Sequence, residues 1–348
     1  MAVVHYPAVG GPARPAISIC IANYNGEQLL VDCLESVFSQ QGDFSYEVIV
    51  HDDASTDGSV AWLRERYPQV ELLASDTNVG FCIGNNRMVA QARGEFVLLL
   101  NNDAALYPDA LASLLAAARA QTPTGILTLP QYDWQSGALV DRGCLLDPFY
   151  NPVPNLDPKR HDVAMVIGAC LWIPRSLWQQ LGGFPEWIES IGEDLYLCGQ
   201  ARLQGVPVQA LNSSGYKHWQ GRTFGGNKPH EGRLQTSARR RQLSERNKTA
   251  ALFMLTPGIT MWPLLAVHLL ALSLEGMLIP LLVRDLRLGR NIYWPAVSLP
   301  FRKYRMLQAL RRLQQQQRKT SLRSYFSCMV PFPRKLQLLL RHGIPRIR

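Results

Sequence analysis

The sequence lacks the cysteine pattern of a disulfide-stapled protein or of a zinc-binding protein. Its cysteines are odd in number and scattered, and no two have the spacing of a zinc-binding pair. They stand at Cys20, Cys33, Cys82, Cys144, Cys170, Cys198 and Cys328. A scattered, odd set is typical of free thiols in a reducing compartment, so we expect a cytoplasmic protein.

The N-terminus lacks the features of a secretory signal peptide. The first residues, MAVVHYPAVGGPARP, have no basic start, and prolines and glycines interrupt them. A signal peptide has a basic start followed by an uninterrupted apolar run. We therefore interpret residues 1–15 as a flexible arm.

Acidic residues are nearly absent from the last part of the chain. From Arg284 to Arg348 the sequence has sixteen Lys and Arg residues and one acid, Asp285, which gives a net charge of +15. The other residues comprise 20 basic and 26 acidic side chains, a net charge of −6. This asymmetry predicts that the basic segment meets a negatively charged partner, either a membrane surface or a nucleic acid.

Charge is also missing from a long apolar segment before this basic tail. Residues 249–274 contain no Asp, Glu, Lys or Arg, and the apolar character continues to Val283 across Glu275. The length suffices for a membrane span, but prolines and His268 interrupt the segment. An interfacial helix, a span of residues 259–283 and a core helix all remain open. The basic and aromatic residues that follow favour the interfacial helix, and no recognised nucleic-acid-binding fold accompanies them.

The first hundred residues contain a regular alternation of predicted strands and helices. AISICIANYNG, YEVIVHDDAS, VELLAS and EFVLLLNND are apolar runs of the kind found in buried parallel strands. EQLLVDCLESVFSQ, DGSVAWLRERY and GNNRMVAQAR lie between them and have helical spacing. Further on, Met165 to Ile173 predicts a strand, and EDLYLCGQARLQG predicts a helix. The alternation predicts an α/β fold, a mostly parallel sheet with helices on both faces.

Three of the predicted strands end in acids or amides. Asn23 ends the first, Asp52 and Asp53 end the second, and the run Asn101–Asp103 ends the fourth. Ligands of open α/β sheets bind beyond the carboxyl ends of the strands. A strand-end Asp with an Asn two positions earlier suits Mg²⁺ or Mn²⁺, which takes one or two carboxylates plus substrate phosphate oxygens. Asp103 equally suits the N-cap of the helix predicted for YPDALASLLAAARA, so both roles remain open.

The motifs SICIANYNG, VIVHDDASTDGS, NVGFCIGNN and LLLNNDAAL follow one another in the first part of the chain. Together with later motifs, this ordered series resembles the family 2 glycosyltransferases of GT-A fold that build bacterial cell-surface polysaccharides. SICIANYNG is similar to the family's first strand and turn, and VIVHDDASTDGS to its nucleotide-binding signature. NVGFCIGNN and LLLNNDAAL resemble the rhamnosyltransferase-like branch, in which Asn replaces the first acid of the Asp-x-Asp metal motif. IGACLWIPR and LGGFPEWIESIGEDLYLCGQARLQG resemble the acceptor-side block, KHWQGRT the late His segment, and RNK an Arg-Asn pair.

The resemblance implies a domain division as well as a fold. A Rossmann-like GT-A catalytic domain would occupy residues 16–250, with the nucleotide-sugar half over 16–120 and the acceptor half over 121–250. A helical, apolar and basic extension over 251–348 would follow it and associate with a membrane.

The resemblance also assigns a nucleotide-sugar site. Asp53 would contact the nucleotide base, and Asp52 would support it or the ribose, although this Asp pair taken alone is typical of a solvated turn. The remaining contacts implied for this site are Asn23, Asn78, Gly84, Asn86 and Asn101.

Three further residues receive roles from the resemblance. Asp103 would ligate a divalent cation on the donor diphosphate, and His218 would be a second ligand or a phosphate contact. Asp194 would be the general base that takes the acceptor proton. His218 is also compatible with a satisfied structural histidine, and Asp194 with a helix N-cap.

The implied activity is inverting transfer of a sugar, from dTDP-rhamnose or a UDP-sugar, to a hydroxyl of a glycan or glycolipid. The cation would stabilise the leaving diphosphate, and no second carboxylate is recognisable at a nucleophile position. A processive polysaccharide synthase is disfavoured because the sequence has no Gln-x-x-Arg-Trp motif and no set of several spans. A non-catalytic sugar-nucleotide-binding protein is disfavoured by the presence together of Asp53, Asp103 and Asp194.

The resemblance and the basic tail together predict a location. Acceptors of such enzymes are commonly held on a lipid carrier, so we expect a peripheral enzyme on the cytoplasmic face of the inner membrane. The extension would bind anionic lipids and no nucleic acid. A soluble cytoplasmic enzyme is the alternative.

Overall fold

The computed structural model describes residues 2–219, 229–230 and 233–347, and the chain divides into two compact units. Unit 1 consists of Met1–Gly143, Pro154–Leu197 and Val206–Trp219. Unit 2 consists of Cys144–Val153, Cys198–Gly205 and Gln220–Arg348.

The strands, in chain order, are β1 (Val3–Tyr6), β2 (Ile17–Asn23), β3 (Tyr46–Asp52), β4 (Glu71–Ser75), β5 (Phe96–Asn101), β6 (Ala104–Leu106), β7 (Ile126–Thr128), β8 (Gln131–Asp133), β9 (Leu139–Asp141), β10 (Cys144–Leu146), β11 (Pro152–Pro154), β12 (Cys170–Pro174), β13 (Val208–Ala210), β14 (Tyr216–His218), β15 (Pro229–His230), β16 (Arg233–Thr236) and β17 (Arg346–Ile347). The helices are α1 (Glu27–Phe38), α2 (Ser59–Arg66), α3 (Phe81–Gln91), α4 (Ala110–Ala120), α5 (Arg175–Leu181), α6 (Glu193–Leu203), α7 (Ala238–Leu255), α8 (Met261–Leu282), α9 (Trp294–Arg302), α10 (Tyr304–Gln316), α11 (Leu322–Phe326) and α12 (Arg334–His342).

Unit 1 is built on an eight-stranded sheet with the order β1-β4-β3-β2-β5-β12-β7-β13. The four central strands β4, β3, β2 and β5 run parallel, and β13 runs parallel to β7. β1 and β12 are antiparallel to their neighbours. The mostly parallel sheet that the sequence predicts is therefore confirmed.

The central strands are buried on both faces. Ile19 and Ile21 of β2 belong to the same core cluster as Leu30 of α1 and Leu111 of α4. Cys20, which lies between them on the strand, is also fully buried but outside that cluster. Because successive side chains of a strand point to opposite faces, both faces of the sheet are covered.

The first residues differ from the expected flexible arm. Val3–Tyr6 form β1, which pairs antiparallel with β4 so that Val3 lies opposite Ser75. The run VVHY contains β-branched and aromatic residues, which favour a strand, and β4 offers it an unpaired edge.

Two other bounds differ from the sequence prediction. α3 begins at Phe81, so the helix predicted to start at Gly84 takes in an additional turn. β12 begins at Cys170 because the Cys170 N–H donates to the carbonyl of Ile167, which turns the chain before the strand starts.

A smaller sheet of four strands has the order β6-β14-β8-β9. β6 starts one residue after Asp103, and β14 ends at His218. The two strands pair antiparallel, with Ala104 opposite His218. These strands have three residues each, too few for an alternating pattern to predict them, yet they place Asp103 beside His218.

Unit 2 is mostly helical, which confirms the predicted helical character of the C-terminal extension. α8 packs with a π-helical turn (Gly289–Tyr293) and α9 around a small apolar core. That core consists of Leu272, Ile279, Ile292, Tyr293 and Ala296. Residue 250, the predicted end of the catalytic domain, lies within α7, and the predicted domain boundaries stay predictions.

Candidate active site

The polar strand ends lie at one edge of the central sheet. β2 lies between β3 and β5, with Asn23 opposite Asp52 and Ala22 opposite Asn101. Because these strands are parallel, their carboxyl ends share the edge at which such sheets bind ligands.

A chain of side-chain hydrogen bonds crosses this edge. Asn102 Nδ2 donates to Asn23 Oδ1 at 2.8 Å, and Asn23 Nδ2 donates to Asp52 Oδ2 at 2.8 Å. Asp52 also accepts from the Ser55 N–H at 2.9 Å and from its hydroxyl at 2.7 Å. A Cβ on Gly26 would lie 2.3 Å from Asn102 Nδ2, so only glycine fits here. Asp52 is therefore used to order the strand ends, and its predicted role toward a nucleotide stays a prediction.

Asp53 holds the loop that leads into α3. Its Oδ1 accepts from the Val79 N–H at 2.6 Å, and its Oδ2 accepts from the Gly80 N–H at 2.8 Å. Asn78, predicted to contact the donor, is exposed next to this bonded pair. Asp53 thus fixes the loop that carries Asn78 at the ligand edge.

Two of the predicted donor-site residues lie inside α3. A Cβ on Gly84 would stand 2.8 Å from His51 Nδ1, so the glycine makes room for this buried ring. Burial lowers the pKa of His51 even though Asp53 raises it. Asn86 instead exchanges two hydrogen bonds with the backbone of Phe184, at 2.8 and 3.0 Å, and so ties α3 to the chain after α5.

Asp103 and His218 meet although 115 positions separate them. Asp103 Oδ1 lies 3.1 Å from His218 Nε2, and both residues are buried, with 6% and 7% of their surface exposed. His218 Nδ1 lies 3.3 Å from Oε1 of the fully buried Gln131, which also accepts from the Tyr216 hydroxyl at 2.8 Å. Asp103 is followed by β6, whereas α4 begins only after Asp109, so Asp103 does not cap that helix.

The pair fits a divalent cation. In the tautomer that donates Nδ1–H to Gln131, His218 Nε2 keeps its lone pair toward Asp103, and two acceptors then face each other across 3.1 Å. Two adjacent ligand atoms of an octahedral ion at about 2.1 Å stand about 3 Å apart. In the described part of the chain, His, Cys, Asp and Glu form no group of three or more that could hold a metal. The other ligands would then be substrate oxygens and water, as is usual for Mg²⁺.

Asp194 lies in the first turn of α6. Its Oδ2 accepts from the Gly168 N–H at 3.1 Å, and its Oδ1 from the Leu195 N–H at 2.7 Å. Ala169, which follows Gly168 in the chain, accepts at its carbonyl from the Asn101 N–H. Asp194 is thus joined to the end of β5 through the backbone of residues 168 and 169. The chain just before α6 is strained, since Ile191, a β-branched residue, has φ 67°.

Residues 18–182 match the family described as glycosyl transferase family 2. This stretch of the chain is similar to a family 2 glycosyltransferase domain. Asp103 lies within the matched residues, whereas Asp194 and His218 follow them.

Curated bacterial proteins are similar to parts of this chain. The chain is 30% identical over 169 residues to N-acetylglucosaminyl-diphospho-decaprenol L-rhamnosyltransferase of Mycobacterium tuberculosis, covering 40% of this chain and 55% of the relative. It is 33% identical over 107 residues to succinoglycan biosynthesis protein ExoO of Rhizobium meliloti, covering 30% of each. The chain thus spans about a third to about half of the length of these relatives.

Solved structures confirm the GT-A fold of this chain. Residues 1–349 of S. aureus TarS in complex with UDP-GlcNAc align with a TM-score of 0.56 at 18% identity, covering 90% of each chain. The mannosyltransferase PcManGT of Pyrobaculum calidifontis, in complex with GDP-Man and Mn²⁺, aligns with a TM-score of 0.50 at 18% identity, covering 89% of this chain and 88% of the other. At this identity the likeness supports the fold alone.

Unit 1 also contains a residue pair that the sequence prediction missed. The rings of Trp134 and Trp219 stack with their centroids 5.5 Å apart. The backbone N–H of Trp219 donates to the backbone carbonyl of Asp103 at 3.0 Å. The backbone N–H of Trp134 donates to the backbone carbonyl of His218. Trp219 directly follows His218 in the sequence, which was the available signal for this residue, whereas no local pattern marks Trp134. The last part of the predicted late His segment, residues 220–223, lies outside the described residues.

Proposed function

We propose that this protein is an inverting glycosyltransferase that uses a nucleotide-diphosphate sugar, dTDP-rhamnose or a UDP-sugar. The acceptor is a hydroxyl of a glycan or of a lipid-linked glycan in cell-envelope polysaccharide synthesis. The observation that carries the proposal is the buried Asp103–His218 pair at the ligand edge of the sheet. The rhamnosyltransferase and ExoO relatives support the donor and acceptor classes.

The donor binds at the carboxyl edge of the central sheet. The network of Asn102, Asn23 and Asp52 keeps the strand ends together, and Asp53 fixes the loop with Asn78. These bonds are made before the donor arrives, so little ordering is left to the binding step.

Asp103 and His218 hold Mg²⁺ or Mn²⁺ in this proposal. The cation, when bound, neutralises charge on the leaving diphosphate as a Lewis acid. Gln131 keeps His218 in the tautomer that presents Nε2, and it also fixes the plane of the ring.

Asp194 takes the proton of the acceptor hydroxyl. The acceptor oxygen forms its bond to the anomeric carbon while the bond from that carbon to the diphosphate oxygen breaks, and the nucleoside diphosphate leaves. The proton ends on the Asp194 carboxylate, whose orientation the N–H groups of Gly168 and Leu195 fix. One displacement with one base inverts the configuration of the sugar.

The experiment uses the purified full chain and a panel of dTDP- and UDP-sugars. We expect one donor to raise the melting temperature in Mn²⁺ and to release its nucleoside diphosphate when an acceptor is added. A donor that binds but is never consumed with any lipid-linked or glycan acceptor would support the non-catalytic sugar-nucleotide-binding protein. If the chain binds no sugar nucleotide, the proposed function is wrong.

A further inference from the structure

Helix α8 has two faces that differ in what they contact. One face is buried in unit 2 and contains Met261, Leu265, His268, Leu272 and Ile279. These positions recur at helical spacing and therefore lie on one side. His268 Nε2 lies 2.8 Å from the Thr249 hydroxyl, so even the polar residue of this face has a partner in unit 2.

The opposite face of α8 is exposed and entirely apolar. Every exposed residue of this helix is Trp, Pro, Ala, Val, Leu or Met. We call the outer face the continuous arc that includes Trp262, Val267, Leu270, Leu274, Leu278 and Leu281. The helix has 22 residues and is thus ~33 Å long, so this arc is larger than the scattered apolar side chains of an ordinary surface.

Glu275 ties α8 to charged helices of unit 2. Its carboxylate pairs with Arg241 of α7 and with Lys335 of α12, the latter at 2.7 Å, and it accepts from the Tyr293 hydroxyl at 3.0 Å. A span across the bilayer would draw these charged helices into hydrocarbon, where each charge costs at least ~2.5 kcal/mol. The composition of α8 fits a span, but its ion pairs favour a helix with one face on protein.

The charge of unit 2 indicates what covers the outer face. Three arginines, Arg284, Arg287 and Arg290, follow α8 directly and are exposed. α9, which packs against α8, exposes Trp294 and Phe301. Aromatic residues and arginines beside an apolar face suit an anionic membrane interface. A second copy of the chain would instead bring two +15 tails together, and these would repel each other.

We propose that the outer face of α8 docks on an anionic lipid surface, with the helix axis parallel to the membrane plane. The face enters the boundary between headgroups and acyl chains, while Glu275 and His268 stay on the protein side. This inference is independent of the proposed function, because docking on lipid needs neither donor nor cation.

The first test is sedimentation of the full chain with vesicles of phosphatidylcholine and phosphatidylglycerol in equal parts. The variant Leu270→Glu/Leu274→Glu should partition into vesicles at least ~10-fold more weakly, because it loses buried apolar area and places charge at the interface. Leu156→Glu is the matched control, since Leu156 of unit 1 is 57% exposed and Leu270 is 62% exposed. The Leu156→Glu variant should bind the vesicles as tightly as the unchanged chain does.

Salt and lipid charge give a second readout of the same surface. Vesicles of phosphatidylcholine alone, or high salt, should lower binding, since the arginines after α8 act through exposed charge. If the unchanged chain does not bind mixed vesicles, or if the outer-face variant binds as well as Leu156→Glu does, the docking surface is wrong. Self-association without lipid that only the outer-face variant abolishes, with no vesicle binding, would identify a second copy as the occupant.

The orientation of α8 is tested by measuring how deep three positions of its outer face lie in the membrane. Val267, Leu274 and Leu281 stand seven residues apart on the outer face, and the native cysteines are all buried, so one cysteine introduced at each position is labelled selectively. A fluorophore there should be quenched equally at the three positions by shallow lipid quenchers. Positions 267 and 281 are ~21 Å apart along the axis. Three different depths, with Leu274→Cys the deepest, would show a span and overturn the in-plane orientation.

Discussion

Asn101, Asn102 and Asp103 follow one another at the end of β5 and have three different partners. The Asn101 N–H bonds to the carbonyl of Ala169, Asn102 bonds to Asn23, and Asp103 faces His218. The sequence predicted a polar cluster at this point because the preceding run is apolar. It did not predict that Asn102 is the residue that joins the strand ends, since that depends on where the side chain points after the strand.

At the residue scale, Asp194 gives the sharpest kinetic prediction. Asp194→Asn should lower kcat by at least ~10²-fold and leave the donor KM nearly unchanged, because a general base acts in the transition state. The single amide oxygen can still accept from the Gly168 N–H, so the side chain should keep its place, although the Leu195 N–H loses its side-chain acceptor.

Glu193→Gln, one position earlier in the same helix turn, is the matched control and should retain activity. An equal loss of donor affinity in Asp194→Asn would place Asp194 in the nucleotide site. Unchanged turnover would assign the base to Glu193 or to another carboxylate.

Asp141 gives a prediction about pH and stability. Burial raises the pKa of this carboxyl to about 7, although the Gly143 N–H donates to it and lowers the pKa. A pKa that is higher in the folded state than its ordinary value of 3.8 contributes stability at low pH, and this contribution is lost as the pH rises through about 7. Asp141→Asn, which still accepts from Gly143, should therefore gain melting temperature relative to the unchanged chain at pH 8 but not at pH 4. If the melting temperatures of the two proteins differ by the same amount at pH 4 and at pH 8, the raised pKa of Asp141 is wrong.

At the element scale, unit 2 is held together by a buried ionic cluster. Glu245 of α7 is 1% exposed and lies 2.8 Å from Lys335 of α12, 3.1 Å from Arg241 and 3.3 Å from Lys248. Burial raises the pKa of Glu245, but the three cations outweigh it and hold this pKa below the ordinary value. The cluster thus joins the last helix of the chain to α7.

Removing the central charge of this cluster should be costly. Glu245→Gln removes the carboxylate that Arg241, Lys248 and Lys335 share, while Glu275 still pairs with Arg241 and Lys335. The loss of one partner from a buried ion pair costs up to ~3–5 kcal/mol. Denaturant titration should show this loss in the free energy of unfolding. Glu65→Gln, an exposed position of α2, is the control and should change stability little. Equal stability of the two variants would mean that the cluster does not stabilise unit 2.

Elements with a clear period could be predicted from the sequence, and elements set by long-range pairing could not. β2, β3 and α1 follow their apolar patterns closely. β6 and β14 have three residues each and exist because they pair with each other, so no local pattern marks them. The same reason explains the site: Asp103 and His218 were both predicted, but their contact depends on that pairing.

At the scale of the whole molecule, the charge is segregated along the chain, with −6 before Arg284 and +15 from there on. We expect a peripheral protein at the cytoplasmic face of the inner membrane. Fractionation of cells in low salt should leave it with membranes, and high salt should release much of it, because salt screens exposed charge. Release only by detergent would indicate a spanning or deeply inserted α8. A protein that is already soluble in low salt would contradict the location.

The most direct test of the metal-dependent sugar-nucleotide site is calorimetric titration of UDP and of dTDP into the full chain, in Mn²⁺ and in EDTA. We expect one nucleotide to bind the unchanged chain much more tightly in Mn²⁺ than in EDTA. Asp103→Ala should lose the Mn²⁺-dependent part of the affinity, while Asp194→Asn should keep it. Equal affinity in Mn²⁺ and EDTA for the unchanged chain, or a Mn²⁺ effect that survives in Asp103→Ala, would contradict the central claim.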